Sequence, residues 1–172
     1  WGSGAFVADY DNDGWPDIYV ACDSTPSWLF RNQHDGTFRE EALERGVALS
    51  EDGIEQAGMG VAVGDFDLDG NLDILKTHFA DDTNVLYRNN GKGYFDDFTI
   101  RSGIGVETRF VGWGAGVVDL DRRGIGLRVV VTDGLDDAAV ARRALIGHDD
   151  APVRVLLAAH SREPDSDGHR AG

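Results

Sequence analysis

Four carboxylates fall within nine residues at Asp9, Asp11, Asp13 and Asp17, and the same spacing returns 56 residues later at Asp65, Asp67, Asp69 and Asp73. Both stretches read D-x-D-x-D-G-x-x-D, with Gly14 and Gly70 at the sixth position. A glycine there lets the chain turn sharply, so that oxygens strung along it can converge on one hard cation. Calcium takes six to eight oxygens and tolerates irregular geometry. The expected ligands are the side chains of Asp9, Asp11, Asp13 and Asp17 with the Trp15 carbonyl in the first loop. In the second they are Asp65, Asp67, Asp69 and Asp73 with the Asn71 carbonyl, water completing each shell. No His or Cys lies inside either loop, which argues against zinc and copper. Magnesium prefers a stiffer octahedron that keeps several waters. Asp-Gly turns are also common hairpin connectors, but four carboxylates this close repel one another without a cation. About two calcium ions, in a structural role, are the expectation.

The flanking elements decide which kind of loop this is. An EF-hand needs a bidentate Glu at position 12 and a helix on each side; position 12 is Val20 in one loop and Lys76 in the other. The flanks, residues 5–8, 17–20, 61–63 and 73–75, are short apolar runs bounded by Gly and Asp, the pattern of buried strands. The loops therefore join strands, and the EF-hand reading fails.

The repeat is wider than the loop. Leu29-Phe30-Arg31-Asn32 aligns with Leu86-Tyr87-Arg88-Asn89, Gly36-Thr37-Phe38 with Gly93-Tyr94-Phe95, and the segment 58–65 with 112–119. Each unit reads strand, Asp loop, strand, longer loop, strand, Gly-containing turn, strand. A short stretch follows, at 40–45 stopped by Gly46 and at 97–102 stopped by Gly103. Four short strands per unit is the layout of a propeller blade. Glycines near the strand starts suit the crowded centre of such a fold. The expected fold class is all-β: about two four-stranded blades plus the start of a third. The expected boundaries are 1–56 and 57–110 for two blades, 111–132 for the opening of a degenerate third, and 133–172 for a divergent tail.

Residues 1 to about 121, some seventy per cent of the chain, resemble FG-GAP (VCBS) repeats, the calcium-loop blades of integrin α-subunit propellers. The stretches YDNDGWPDIYVACDSTPSWLFRN and GDFDLDGNLDILKTHFADDTNVLYRN are similar to the ASPIC/UnbV-type, cartilage-acidic-protein-like subgroup in particular. The resemblance implies a seven-bladed propeller of secreted or cell-surface proteins, one calcium per loop-bearing blade, and adhesion or ligand binding without established catalysis. A ring of seven at this period needs roughly 400 residues, so the chain reads as a fragment whose remaining blades lie elsewhere. Its start at Trp1 without Met reads as truncated, and open blade faces would invite association.

Charge narrows the partners. The formal net charge is −15; residues 1–121 hold 23 acidic against 8 basic side chains, while 122–172 hold 8 of each. The excess acidity belongs to the repeats, so nucleic acid and anionic membrane are poor partners, and no apolar run reaches the roughly 18 residues a span needs. An unknown protein or glycan ligand and an extracellular setting are expected. Cys22 is the one cysteine and reads as a buried thiol.

The pattern breaks in the third copy. Asp119 and Asp121 begin a loop correctly, but Arg123 and Leu127 stand at its fifth and ninth positions, and an arginine there opposes a divalent ion. A strand at 129–131 survives. From residue 115 onward there is no Phe, Tyr, Trp, Lys, Asn or Cys. Three readings compete for the tail: a frame-shifted translation of a GC-rich gene, a short β-α-β unit over 128–132, 136–146 and 153–159, or an unstructured end. The first is favoured, and 161–172 reads as disordered.

No nucleophile elbow, phosphate loop or Cys–His pair appears. His34 reads as an exposed turn residue and His78 as a satisfied loop histidine, the alternative being that His78, with Asp81 and Asp82 nearby, belongs to a site on one propeller face. Trp15 and Trp28 read as packing residues. The chain reads as a non-enzymatic binding or adhesion module. The alternative is a piece of a propeller-fold enzyme such as a polysaccharide lyase, which would need His, Lys, Tyr or Arg converging on a calcium in an open cleft.

Overall fold

A computed structural model describes residues 2–106, 111–118, 128–132 and 156–158. Alternating short apolar strands and Gly-rich turns build two four-stranded antiparallel sheets of the same order. The first runs β1 (Gly2–Ala8), β2 (Asp17–Cys22), β3 (Trp28–Asn32), β4 (Phe38–Glu40), and the second β5 (Gly58–Gly64), β6 (Asp73–His78), β7 (Val85–Asn89), β8 (Phe95–Asp97). The register repeats too: Ile18 faces Phe30 across β2 and β3, as Ile74 faces Tyr87 across β6 and β7. This is the all-β blade fold that the repeat predicted. One-turn helices α1 (Ala42–Arg45) and α2 (Thr99–Ser102) follow the outer strands. Both end where Gly46 and Gly103 take left-handed φ of 81° and 77°, a conformation that costs glycine little.

The main core lies between the blades. Tyr10, Tyr19, Leu29 and Val47 of the first unit pack on Ile74, Val85, Tyr87 and Phe95 of the second. Two buried phenols tie this layer to the linker, Tyr19 donating to the Val47 carbonyl at 3.1 Å and Tyr87 to the Leu49 carbonyl at 3.0 Å. A second cluster holds Ala62, Phe66, Leu75, Leu86 and Ile104, with Ala115 and Val117 packed against it.

The innermost strands meet backbone to backbone. A Cβ on Gly4 would stand 2.6 Å from the Met59 carbonyl oxygen. One on Gly60 would stand 3.0 Å from the Trp113 carbonyl oxygen and 3.2 Å from the Gly114 Cα. Gly4, Gly60 and Gly114 recur at the repeat spacing, and only glycine allows strands this close.

The third sheet is smaller. Strand β9 (Gly114–Val118) pairs antiparallel with β10 (Arg128–Thr132), and β10 pairs in parallel with β11 (Leu156–Ala158). The first pairing continues the blade pattern; the second departs from it and joins the first and last segments of the β-α-β reading. The broken third loop at 119–127, the 136–146 segment and the end at 161–172 lie outside the described residues.

Candidate metal centre

Each Asp loop is a hairpin connection whose backbone is held by its own carboxylates. In the first, Asp9 accepts the N–H groups of Asp13 at 3.1 Å and Gly14 at 2.8 Å. In the second, Asp65 accepts those of Asp69 at 3.0 Å and Gly70 at 2.8 Å. The fourth loop position is left-handed in both copies, Asn12 at φ 59° and Leu68 at φ 61°. Asn tolerates this conformation and Leu does not. Leu68→Asn is accordingly expected to stabilise the fold by about 1 kcal/mol, read as a rise in melting temperature; a drop would count against the strain.

The ninth-position carboxylates close the loops. Asp17 accepts the Tyr10 N–H at 3.2 Å and the Asn32 N–H at 2.9 Å. Asp73 accepts those of Phe66 at 2.9 Å and Asn89 at 2.8 Å. Asn32 and Asn89 lock the loop ends by donating to the Pro16 and Leu72 carbonyls. Asn89 also donates to the Tyr10 carbonyl of the first blade at 2.7 Å. A further cross-blade bond joins the loops themselves, Asn12 Nδ2 to Asn71 Oδ1 at 3.0 Å.

Three of the four carboxylates converge in each copy. Oxygens of Asp9, Asp11 and Asp17 lie within 4.8 Å of one another, as do those of Asp65, Asp67 and Asp73. Asp13 and Asp69 stand outside these triads. Asp13 accepts the Trp15 N–H at 2.9 Å and reaches His34 Nε2 at 2.7 Å and Arg31 at 3.3 Å. Asp69 accepts the Asn71 N–H at 2.9 Å and meets Arg88 at 3.4 Å. Trp15 and Asn71 occupy the seventh positions, held by those N–H bonds.

Electrostatics bear the marks of crowded charge. Burial pushes the Asp73 carboxyl up to about 7, and the Asp67 and Asp69 charges add to it against two backbone N–H bonds. Asp17 is raised for the same first reason, with Asp11 and Asp13 contributing. Asp13 is lowered: burial works against this, but the His34 and Trp15 hydrogen bonds and the Arg31 charge outweigh it. The residues present fit a hard cation. All converging donors are carboxylate oxygens, and Asp11 Oδ1 is buried with no hydrogen-bond partner among the described residues, a costly arrangement for an anionic oxygen.

Several residues behave differently from their sequence expectation. Trp15 and Trp28 are 47% and 45% exposed, so neither is a core packing residue. Trp15 stacks on His34 at 5.1 Å, forming an aromatic shelf beside the first loop. His78 is the last residue of β6 and fully buried, and among the described residues neither ring nitrogen has a hydrogen-bond partner. It is therefore a strand residue and not a satisfied loop histidine, and nearby Asp82 bonds Gln56 and the Ala57 N–H. Cys22 is buried and free, as expected.

Residues 9–75 match the family model described as FG-GAP-like repeat. Together with the repeated blade register and the two Asp loops of one pattern, this match shows that residues 9–75 carry FG-GAP-like repeats. Its relatives include cartilage acidic protein 1 of Xenopus tropicalis, 35% identical over 98 residues. Cartilage acidic protein 1 of Homo sapiens and of Mus musculus are each 38% identical over 74 residues. These stretches cover 56% of this chain against the frog protein and 43% against the other two. They cover only 14% and 11% of the relatives' own lengths. Among the described residues, no helix is long and apolar enough to cross a membrane.

Proposed function

We propose that this chain is a calcium-stabilised segment of a larger, seven-bladed extracellular propeller, and that it acts as a binding or adhesion module. The observation that carries the reading is the pair of carboxylate triads, with the orphaned Asp11 Oδ1 at the first. The ligand sets are Asp9, Asp11, Asp13, Asp17 and the Trp15 carbonyl, and Asp65, Asp67, Asp69, Asp73 and the Asn71 carbonyl. A bound ion supplies positive charge that neutralises and cross-links the loop. The protein's own part is to hold the loop ends through Asn32 and Asn89. Blade boundaries at 1–56 and 57–110, a degenerate third at 111–132 and a separate tail at 133–172 complete the layout.

The first sheet supports the presence of further blades. By the repeat, Val7, Ile18, Trp28, Phe30 and Phe38 correspond to Val63, Ile74, Val85, Tyr87 and Phe95 of the second. The latter are packed against a neighbouring blade. Val7 is 58% exposed, and Trp28 and Phe38 are exposed too. A preceding blade of the same kind would cover that face. Catalysis has weaker support. Lys76 and His78, which a lyase would need in an open cleft, are both buried within β6. The ligand is a protein or a glycan, the Trp15–His34 shelf being suited to stacking against either.

Calorimetric titration of the whole chain with calcium should show about two sites of weak affinity, on the order of 10⁻⁴–10⁻³ M. At about 10 mM calcium each site then adds roughly 1.5–3 kcal/mol of stability. No heat together with an unmoved melting temperature would end the calcium reading.

A further inference from the structure

We propose that Arg31 and Arg88 are built-in counter-cations of the two Asp loops, positioning residues that keep each loop folded before any divalent ion arrives. The inference rests on the calcium reading above. The two arginines make the same contacts with the same loop positions. Arg31 Nε lies 2.6 Å from Asp11 Oδ2, and its Nη2 lies 3.3 Å from Asp13 Oδ2. Arg88 Nε lies 2.6 Å from Asp67 Oδ2, and its Nη2 lies 3.4 Å from Asp69 Oδ2. The Arg88 Nε contact is one of charge, because its angle does not make a hydrogen bond. Each arginine precedes the asparagine that locks the loop end, so the strand that closes the hairpin also delivers its counter-charge.

The first loop shows how one carboxylate serves two cations. Asp11 gives Oδ2 to Arg31, and its Oδ1 is the buried oxygen without a partner. Arg31 thus holds the side chain in place and leaves the second oxygen for an ion. An ion bound there lies close to the guanidinium, and the two positive charges oppose each other. The arginine therefore stabilises the ion-free loop and weakens the ion's added effect. Without it, the third and fifth carboxylates have only calcium to neutralise them.

The loops are not equally served. Arg45 brings a second guanidinium to the first, its Nη2 3.8 Å from Asp11 Oδ2. It is fixed there by Glu41 at 2.8 Å, by the Lys92 carbonyl at 2.7 Å and by the Tyr94 ring at 4.5 Å. The repeat places Ser102 at the matching position of the second blade, where its hydroxyl donates to the Thr99 carbonyl. Among the described residues the second loop has Arg88 as its one guanidinium, and it is the more ion-dependent of the two.

The test compares the full chain with Arg31→Gln and Arg88→Gln, each melted in chelator and in about 10 mM calcium chloride. Arg88→Gln should lower the melting temperature in chelator by about 3 °C and recover most of that loss in calcium. Arg31→Gln should lose less, because Arg45 remains. Equal losses with and without calcium, as a purely structural contact would give, overturn the proposal; so does no loss at all. Should Arg88→Gln fail to fold in chelator, Arg88→Lys keeps the charge and must restore the ion-free fold, and its failure to do so also overturns the proposal. A wild-type chain that does not respond to calcium removes the underlying reading. A normal wild-type response that both variants leave unchanged removes only the role of the arginines.

Discussion

Replacing Lys76 by methionine is expected to raise the melting temperature of the chain by about 6 °C, roughly 2–3 kcal/mol for a protein of this size. Lys76 is 1% exposed in the middle of β6. Among the described residues its ammonium reaches only the Ser27 hydroxyl at 3.4 Å and the Tyr87 ring at 5.6 Å. Burial pulls its pKa down to about 8, and the Asp82, Cys22 and Asp97 charges recover only part of the shift. A base whose folded pKa is lowered costs stability at every pH below that value, and the cost fades as pH rises toward the unfolded pKa near 10.4. Methionine keeps the volume of the stem and removes the charge. The advantage of Lys76→Met should therefore be full at pH 7 and shrink by pH 10. A lower melting temperature at pH 7 would show that the ammonium has a role its visible contacts do not explain.

Acid should destabilise the chain through His78. Burial holds this imidazole neutral, with its pKa near 3, and the charge of Lys76 on the same strand pushes the same way while Asp82 opposes. Between pH 6.5 and 3 the unfolded chain binds a proton at this residue and the folded chain does not, so stability falls with pH. By pH 4 the loss is on the order of 3 kcal/mol. Asp73 has the opposite sign. Its carboxyl is raised to about 7 without an ion, so the ion-free fold loses stability as pH rises from about 4 to 7. The two slopes oppose each other in chelator. If calcium holds Asp73 ionised, its opposing slope is removed, and the His78 share of the acid limb is read by comparing His78→Leu with the parent chain. His78→Leu should flatten the acid limb in calcium, measured by denaturant unfolding at pH 7 and pH 4; an unchanged limb would clear His78 of that role.

The sequence made the local features legible. The Asp spacing, Gly14 and Gly70 define a turn within nine residues, and short apolar flanks define its strands. Gly46 and Gly103 stop the helical turns where the repeat placed their ends. Contacts between distant segments were not legible in the same way. Arg31 and Asp11 are twenty residues apart, and nothing local joins them, although Arg31 and Arg88 align in the repeat. Lys76 and His78 look like surface residues because they are polar. Their burial follows from a whole blade packing on that face of β6. Here too the repeat held a trace, since Lys76 stands where the first blade has Val20. Trp15 and Trp28 misled in the other direction, because the size of a side chain says little about which face of a sheet is covered.

The glycine column at Gly4, Gly60 and Gly114 has a consequence for how such a ring can diversify. Because the inner strands meet backbone to backbone at these glycines, the angular step from one blade to the next is set there by atoms that every residue type shares. Mutations in the outer loops leave that step unchanged, and so does the loss of an entire Asp loop. A degenerate unit can therefore keep its seat in the ring while its rim evolves toward a different surface.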